Sequence, residues 1–417
     1  MKRSWYPLDH AATLYPGVIS GASTGVFRIA ARLSFTPELQ VVQEALHKAL
    51  PYFPFFTVRL RRGLFWHFLE RIPGEPSVQW EVSAPCRPFR EERDGPFLFR
   101  ILLYHHRISL EISHLLTDGH GALEFLRTIL DLVQSPGLSF EGLQLPPLAE
   151  AASDAYQISR EKKKRPLPPP KKISRAWQYP GDRMPRGMLR YTRLRLPSET
   201  FLPIARQLNV TFTEWLAAVV IEQLIVEQQS HKTPSNLPIR LLVPVNLRPI
   251  LSSRSLRNVF QAVLVGIDPR LGPWSFDEIL SEVHHRFRIA RSQRHLQPLF
   301  TRTLRSQNHP ILRAVPSTIK DYALRALHRS RSSRRHTALL SNLGPISWNS
   351  PGAEIVNSLE MIPNPNPVTG LQLSVIGWKD HLVLSCVSLC TTPQFERRLI
   401  QRLQQYDTHL ELETNWC

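Results

Sequence analysis

A histidine and an aspartate lie four residues apart at the end of a predicted strand. Residues 108–113 alternate in the manner of a half-buried strand, and His114 follows them directly. Asp118 and Gly119 come next, immediately before a helical pattern. A neutral imidazole is a good general base because its ordinary pKa lies close to cellular pH. His114 is therefore a candidate proton acceptor, with Asp118 as a helix N-cap and Gly119 as the turn residue.

The same residues also admit simpler roles. His114 would then be a buried histidine that donates to a backbone carbonyl, and Asp118 would only cap the helix. A metal site that combines them with His105 and His106 is a further alternative. Adjacent residues of a strand point to opposite faces, however, so these side chains do not converge on one ion. We expect no metal and no prosthetic group.

The composition is that of a large globular protein with a strong positive charge. The chain has 417 residues, which exceeds one ordinary core and predicts two domains. Lysine and arginine (52) outnumber aspartate and glutamate (34), which gives a formal net charge of +18. Such a field attracts anionic lipid, an anionic substrate or nucleic acid. No nucleic-acid-binding motif is found, so we expect no nucleic-acid partner. A merely solvated basic surface is the alternative.

The sequence has no pattern typical of export or membrane insertion. No apolar run approaches the roughly 18 residues of a membrane span, and the basic N-terminus lacks the apolar stretch of a signal peptide. The four cysteines, Cys86, Cys386, Cys390 and Cys417, show neither metal-ligand nor disulfide spacing. They fit a reducing compartment, and we expect the protein in the cytoplasm.

Two parts of the chain share an α/β pattern. We predict one domain at 1–158, a linker at 159–186 and a second domain at 187–417. The linker includes a basic, proline-rich run at 162–172 that cannot form a helix or strand interior. A nuclear-localisation patch and a membrane-surface anchor are the alternatives for this run. The segment 324–335, rich in arginine and serine, is expected to be a mobile loop.

The periodicity of apolar residues predicts the individual elements. The helices are expected at 41–50, directly after Gly119, from the capping box at 211–214 through about 226, and at 274–291 and 393–406. The strands are expected at 55–60, 63–69, 97–104, 107–113, 189–196, 240–245, 337–342, 371–377 and 381–389.

Four blocks of the sequence resemble, in order, those of the chloramphenicol acetyltransferase-like superfamily. That superfamily includes the condensation domains of peptide synthetases and the alcohol O-acyltransferases. The His-x-x-x-Asp-Gly run resembles its active-site segment. Residues 243–248, Val-Pro-Val-Asn-Leu-Arg, followed by Asn258, are similar to a block of bacterial alcohol acetyltransferase-like proteins. Residues 341–345, Ser-Asn-Leu-Gly-Pro, resemble a strand end of those proteins and of wax ester synthases. The opening 6–9, Tyr-Pro-Leu-Asp, with 63–66, also recurs in that group.

The resemblance implies an α/β fold of two chloramphenicol acetyltransferase-like domains. Each would be a mixed sheet flanked by helices, and together they would form a pseudo-dimer with an interdomain tunnel. An acyl group would pass directly from acyl-CoA or an acyl carrier protein to an alcohol, with no cofactor beyond that co-substrate. Many superfamily members carry a second histidine where this chain has Ser113, a supporting position.

The resemblance also implies roles for individual residues. His114 would take the acceptor's proton, and Asp118 would pair with Arg248 to orient the loop that holds the imidazole. Gly119 would keep the tunnel open beside the histidine. Ser341 and Asn342 would lie near the thioester and its oxyanion, and Asn258 would fix a loop.

Two other functions remain open from the sequence. The chain could be a wax ester or diacylglycerol synthase-type lipid acyltransferase whose basic face rests on anionic membrane. It could also be a non-catalytic relative that binds a carrier protein or lipid. The phosphates of coenzyme A or the surface of an acidic acyl carrier protein would suit the basic charge.

Overall fold

The computed structural model describes most of the chain. The described residues are 5–19, 23–139, 145–155, 173–231, 235–292, 295–296, 298, 301, 309–328 and 333–416. Residues 159–172 of the expected linker, with the basic proline-rich run, lie outside them. The linker therefore stays a prediction.

The predicted strands and helices are present in the predicted order, among further strands and helices that were not predicted. The strands are β1 (Trp5–Pro7), β2 (Val26–Leu33), β3 (Val58–Arg62), β4 (His67–Arg71), β5 (Val78–Trp80), β6 (Phe99–Tyr104), β7 (Arg107–Ser113), β8 (Arg190–Pro197), β9 (Ile239–Asn246), β10 (Phe260–Ile267), β11 (Ala338–Pro345), β12 (Val356–Ile362), β13 (Leu371–Trp378), β14 (His381–Ser388) and β15 (Glu411–Thr414). The longer helices are α1 (Leu39–Ala49), α2 (Gly119–Gln134), α3 (Ser198–Gln207), α4 (Phe212–Ser230), α5 (Phe276–Arg291), α6 (Ser317–Leu327) and α7 (Gln394–Gln404). Short helical turns lie at Tyr15–Val18, Glu91–Asp94, Leu148–Ala151, Arg248–Leu251, Pro310–Ala314 and Gly352–Ile355.

The first sheet has five strands in the order β12-β2-β7-β6-β5. Helices α1 and α2 cover one face, because their apolar residues recur at helical spacing and pack with those of the strands. Phe55 and Phe56 precede β3 instead of belonging to it, since their rings lie in an aromatic cluster with Phe125 of α2. The predicted strand at 55–60 therefore begins later, at Val58.

The second sheet has seven strands in the order β10-β9-β11-β13-β14-β8-β15. Helix α4 packs against it and is apolar around its circumference, as expected of a core helix. The capping box is present: the Thr211 side chain accepts from the Glu214 amide, and the Glu214 side chain accepts from the Thr211 amide. A small third sheet has the order β1-β4-β3.

One strand of the second half joins the sheet of the first half. Strand β12 pairs antiparallel with β2, with Leu359 opposite Ala31. The two larger sheets therefore do not correspond to two uninterrupted stretches of chain. The expected fold class, mixed sheets flanked by helices in a two-part α/β protein, is confirmed.

The prediction of a mobile loop at 324–335 is wrong where the structure describes that segment. Helix α6 continues through Leu327, and a helical turn follows at Ser333–Arg335. The helix is held because Leu324 packs against Gly17. Among the described helices, none is by itself long and apolar enough to cross a membrane. Only α3 and α4 taken together reach that length and composition, and they are bent by 89°.

Candidate active site

The main chain of His114 is anchored on both sides. The residue follows β7, which pairs with both β2 and β6 inside the five-stranded sheet. Its amide donates to the Gly25 carbonyl at 2.9 Å, and its carbonyl accepts from Asn258 Nδ2 at 2.9 Å. The strand end and the loop around Asn258 therefore fix the position of His114 jointly.

The imidazole of His114 lies among aromatic rings. Tyr15 stacks on it with centroids 5.2 Å apart and planes inclined by 15°. The ring centroid of Phe27 lies 4.4 Å from that of the imidazole, and the ring centroid of Phe260 lies 6.2 Å from it. Burial lowers the pKa of His114 below its ordinary value, while the charge of Asp118 and the Asn258 side chain oppose this. The ring is thus kept neutral near cellular pH, as a proton acceptor must be.

Asp118 is the N-cap of α2 and is also paired with Arg248. Its side chain accepts from the amides of His120 and Gly121, both at 3.2 Å. Arg248 Nη1 and Nη2 donate to Oδ2 and Oδ1, each at 2.9 Å, and the Val259 amide donates to Oδ2 at 2.9 Å. Burial alone would raise the pKa of Asp118, but the Arg248 charge and these bonds lower it. The carboxylate is therefore ionised and turned toward Arg248.

Arg248 fixes a loop of the second half against Asp118. Its Nε donates to the Ser255 carbonyl at 2.8 Å, and its Nη2 donates to the Arg257 carbonyl at 2.7 Å. Its own amide is held by Asn246 Oδ1 at 3.0 Å, at the end of β9. The pair implied by the resemblance is thus present, and it joins the start of α2 to the loop 248–259.

Asp9 holds the same loop from the N-terminal segment, a role that was not predicted from the sequence. Its Oδ2 accepts from Asn258 Nδ2 at 2.9 Å and lies 3.3 Å from Arg257 Nε. All three side chains are buried. Because Asn258 also donates to the His114 carbonyl, Asp9 is connected to the histidine through one residue. The signal in the sequence was its place in the block at 6–9.

Two glycines at the start of α2 allow close approach of neighbouring chain. A Cβ on Gly119 would lie 2.7 Å from Leu343 Cδ2. A Cβ on Gly121 would clash with both the Leu256 carbonyl oxygen and Thr117 Oγ1. Gly119 thus places α2 beside the end of β11, and Gly121 places it against the loop 248–259.

Ser341 and Asn342 lie near that end of β11 without a hydrogen bond to His114 among the described residues. Asn342 Nδ2 donates to Thr213 Oγ1 at 2.8 Å, and its Oδ1 accepts from the Gly344 amide at 2.7 Å. The Asn342 side chain is therefore engaged with the start of α4 and with its own turn. The contact between Leu343 and Gly119 is what brings this strand to the site.

Two clefts reach the network around His114. One has a volume of about 1360 Å³ and is lined by residues that include Asp9 and Arg257. The other has a volume of about 680 Å³ and is lined by residues that include His120 and Arg248. A continuous interdomain tunnel stays a prediction. In the described parts of the chain, no three His, Cys, Asp or Glu side chains are grouped so as to hold a metal ion.

No protein-family model and no curated protein match this sequence. Solved structures do match it, over nearly the whole chain. The TRI101 protein of F. sporotrichioides, complexed with coenzyme A and T-2, is 10% identical with a TM-score of 0.65, over 98% of this chain and 99% of that one. The wax ester synthase/diacylglycerol acyltransferase of Marinobacter aquaeolei VT8 is 14% identical with a TM-score of 0.56, over 96% and 99%.

A larger protein contains the same fold as one part. The nonribosomal peptide synthetase FmoA3 is 15% identical with a TM-score of 0.60, and the match covers 97% of this chain but 44% of the synthetase. This chain thus has the chloramphenicol acetyltransferase-like fold of condensation domains and related proteins, which confirms the resemblance read from the sequence. At these identities the likeness shows the fold.

Proposed function

We propose that this protein is an acyltransferase that moves an acyl group from an acyl thioester to an alcohol, with His114 as the general base. The observation that carries the proposal is the state of His114. Its imidazole follows a sheet strand, is packed by Tyr15 and Phe27, and has a pKa lowered by burial. A fixed, neutral imidazole at the meeting point of two sheets suits proton abstraction from a bound hydroxyl.

The reaction proceeds without an acyl-enzyme. His114 accepts the hydroxyl proton as the alcohol oxygen bonds to the thioester carbonyl carbon, and the carbonyl electron pair moves onto oxygen. Collapse of this tetrahedral intermediate breaks the carbon–sulfur bond. The departing thiolate takes the proton from the imidazolium, which releases an ester and a thiol. A general base contributes about 10²–10⁴-fold to such a step, and holding both substrates adds an entropic advantage.

Asp118 acts in this proposal by orientation. Each of its two oxygens accepts from Arg248 and from at least one backbone amide. The carboxylate therefore has no free lone pair aimed at His114 for proton relay. Its role is to hold the turn between His114 and α2 in place. Arg248 and Asn258 support that role from the loop 248–259.

The substrates are proposed from charge and from the comparisons. The donor is acyl-CoA, with an acidic acyl carrier protein as the alternative, because the phosphates or acidic surface of either complement a chain of net charge +18. TRI101 was solved with coenzyme A bound. Gly119 lets Leu343 pack against the start of α2. In this proposal Ser341 and Asn342, which precede Leu343, contribute polar groups near the thioester.

The experiment that tests this function is thiol release from a panel of short- and long-chain acyl-CoAs with mixed alcohols. We expect acceptor-dependent release that falls at least about a hundredfold in His114→Ala. The matched control is His285→Ala, an exposed histidine on α5. Equal release by wild type and His114→Ala would remove His114 from the mechanism. No turnover of any thioester by wild type, together with carrier or lipid binding, would favour the non-catalytic relative.

A lipid acyltransferase of the wax ester or diacylglycerol synthase type is the second candidate. It is favoured by the whole-length structural match to the wax ester synthase/diacylglycerol acyltransferase. In the same panel this version predicts preference for long-chain acyl donors and long-chain alcohols. Preference for short chains would favour the alcohol acetyltransferase version instead.

A further inference from the structure

Helix α6 presents an apolar stripe to solvent. Ile319, Tyr322, Ala323 and Ala326 recur at the i, i+3, i+4, i+7 spacing that places residues on one face of a helix, and all four are exposed. Tyr322 is 76% exposed and Ile319 57%. The opposite face is the anchored one, because Ser317 and Asp321 are buried. The apolar stripe of α6 therefore faces solvent, whereas the apolar stripe of a core helix faces the protein interior.

Two further apolar segments meet this helix. The turn between β3 and β4 carries Leu64, 71% exposed, and Trp66, 58% exposed. The Ser317 amide donates to the Leu64 carbonyl at 2.8 Å, and Lys320 Nζ donates to the Phe65 carbonyl at 2.8 Å. These bonds join the turn to the start of α6.

The short helix Pro310–Ala314 adds the third segment. Its Ile311 and Leu312 are exposed, and Lys320 Nζ lies 3.4 Å from the Arg313 carbonyl oxygen. The three segments thus surround Lys320. We name the resulting surface the docking patch, and its large apolar members are Leu64, Trp66, Ile311, Leu312, Ile319 and Tyr322. Exposed apolar side chains are ordinary when scattered, but a grouped set marks an interaction surface.

The charged groups around the docking patch are mainly positive. Four arginines are exposed at or beside these segments: Arg61 and Arg62 end β3, Arg313 lies on the short helix and Arg325 lies on α6. Asp321 lies on the buried face of α6, and its Oδ2 is 3.4 Å from both Arg62 Nη2 and His67 Nε2. Glu70 of β4 is held by Arg59 and Arg61. Arg61 and Arg62 therefore compensate the nearby acids, and Arg313 and Arg325 are the arginines of the rim that form no ion pair among the described residues.

We propose that the docking patch binds the surface of an anionic lipid bilayer. Aromatic and aliphatic side chains enter the boundary between headgroups and acyl chains, while the arginines contact anionic headgroups. A second copy of this chain is disfavoured as the occupant, because it would oppose two arginine-rimmed faces of a chain with net charge +18. Anionic lipid is the partner that complements both the apolar and the charged parts of the patch.

Docking in this way brings the bilayer close to the candidate active site. Arg325 Nε lies 3.4 Å from the Gly17 carbonyl oxygen, and Leu324 packs against Gly17. The same turn, Tyr15–Val18, carries the ring that stacks on His114. Lipid-dissolved substrate would thus be released near the site, a consequence that rests on the proposed function. Docking itself does not rest on that function and is tested without turnover.

The test is co-sedimentation of the full chain with vesicles of phosphatidylcholine alone or of an equimolar mixture with phosphatidylglycerol. We expect binding to the anionic vesicles that weakens as salt is added. The double variant Ile319→Ser/Tyr322→Ser should bind at least about tenfold more weakly. The matched control is Leu271→Ser, at a residue 78% exposed outside the patch, which should bind as wild type does.

Three outcomes would overturn the proposal. They are wild-type protein that stays in the supernatant with anionic vesicles, a double variant that binds as wild type, and equal loss in the Leu271→Ser control. Self-association in solution that the double variant abolishes, without vesicle binding, would assign the patch to a second copy. Urea unfolding of each variant verifies folding, and these exposed substitutions should leave the unfolding midpoint close to that of wild type.

Discussion

The ring of Tyr15 stacks on the imidazole of His114, with centroids 5.2 Å apart and planes inclined by 15°. Ring stacking therefore orients the imidazole plane, a role that a hydrogen bond to a carboxylate has in other histidine sites. It also places the face of an aromatic ring against the histidine at the moment the proposed reaction makes it cationic. A cation over an aromatic face is stabilised by about 0.5–2 kcal/mol. Tyr15 is therefore a positioning residue for the proposed base.

Replacing Tyr15 should lower the rate without abolishing it. We expect Tyr15→Leu to lower kcat by about tenfold, since the imidazolium loses an aromatic neighbour. Tyr15→Phe keeps the ring and should retain most of the activity. The measurement is kcat and KM for thiol release in both variants. Equal losses in the two would show that the hydroxyl, not the ring face, carries the contribution.

The pH dependence of activity should reflect the lowered pKa of His114. The base must be neutral, so kcat/KM should rise with pH and then level off. The apparent pKa of this rise should lie below the ordinary histidine value of about 6.5. The measurement is a pH profile of thiol release at saturating donor. An apparent pKa above about 7 would contradict the burial of the ring.

The lowered pKa of His114 also makes the stability of the fold depend on pH. Burial lowers the folded pKa of His114, so the unfolded chain binds more protons in the window just below about pH 6.5. The free energy of unfolding should therefore decrease as pH falls through that window. In His114→Gln this part of the decrease should be absent, as measured by urea unfolding at several pH values.

Removing one partner of the Asp118–Arg248 pair should destabilise the fold strongly. Both side chains are buried, and Arg248→Ala leaves a buried carboxylate without its counter-charge. We expect a loss of about 3–5 kcal/mol in the free energy of unfolding. Arg248→Lys should recover only part of it, because an ammonium cannot donate to both oxygens in parallel. A loss below about 1 kcal/mol, typical of an exposed pair, would contradict this geometry.

Asp9 should affect catalysis through Asn258. The substitution Asp9→Asn keeps the shape but removes the charge that faces Arg257 and Asn258. We expect kcat to fall about tenfold, which is less than the about 10²-fold that the loss of a general base itself would cost at least, with KM little changed. The apparent pKa of His114 should fall further, because the charge of Asp9 raises it in the wild type. Glu38→Gln, at an exposed site, is the control. An unchanged pH profile would assign Asp9 a purely structural role.

The two glycines that begin α2 should respond differently to alanine. In Gly121→Ala the added Cβ would meet the backbone of Leu256, which cannot move away. We expect a loss of about 3 kcal/mol in the free energy of unfolding. In Gly119→Ala the obstacle is the end of the Leu343 side chain, which can rotate, so the loss should be below about 1.5 kcal/mol. Urea unfolding of both variants measures the difference.

Local patterns in the sequence determined many of the elements and the order of the motifs. The alternation before His114 and the capping box at Thr211 are properties of neighbouring residues, so they predicted β7, α2 and α4 well. The resemblance carried by the ordered blocks predicted the fold, and it also implied the contact between Asp118 and Arg248. In contrast, the end of α6 at 324–327 was predicted as a loop, because its packing against Gly17 is a long-range contact that neighbouring residues do not signal.

Only the tertiary structure decided which distant residues surround the histidine. Tyr15, Phe27 and Asp9 contact the site or its supporting loop through long-range packing and hydrogen bonds, for which neighbouring residues carry no periodic signal. The same is true of β12, which joins the first sheet from the second half of the chain. The sequence by itself determined the chemistry available at His114. The tertiary structure determined the environment that sets its pKa and orientation, because burial and charge depend on what the folded chain brings together.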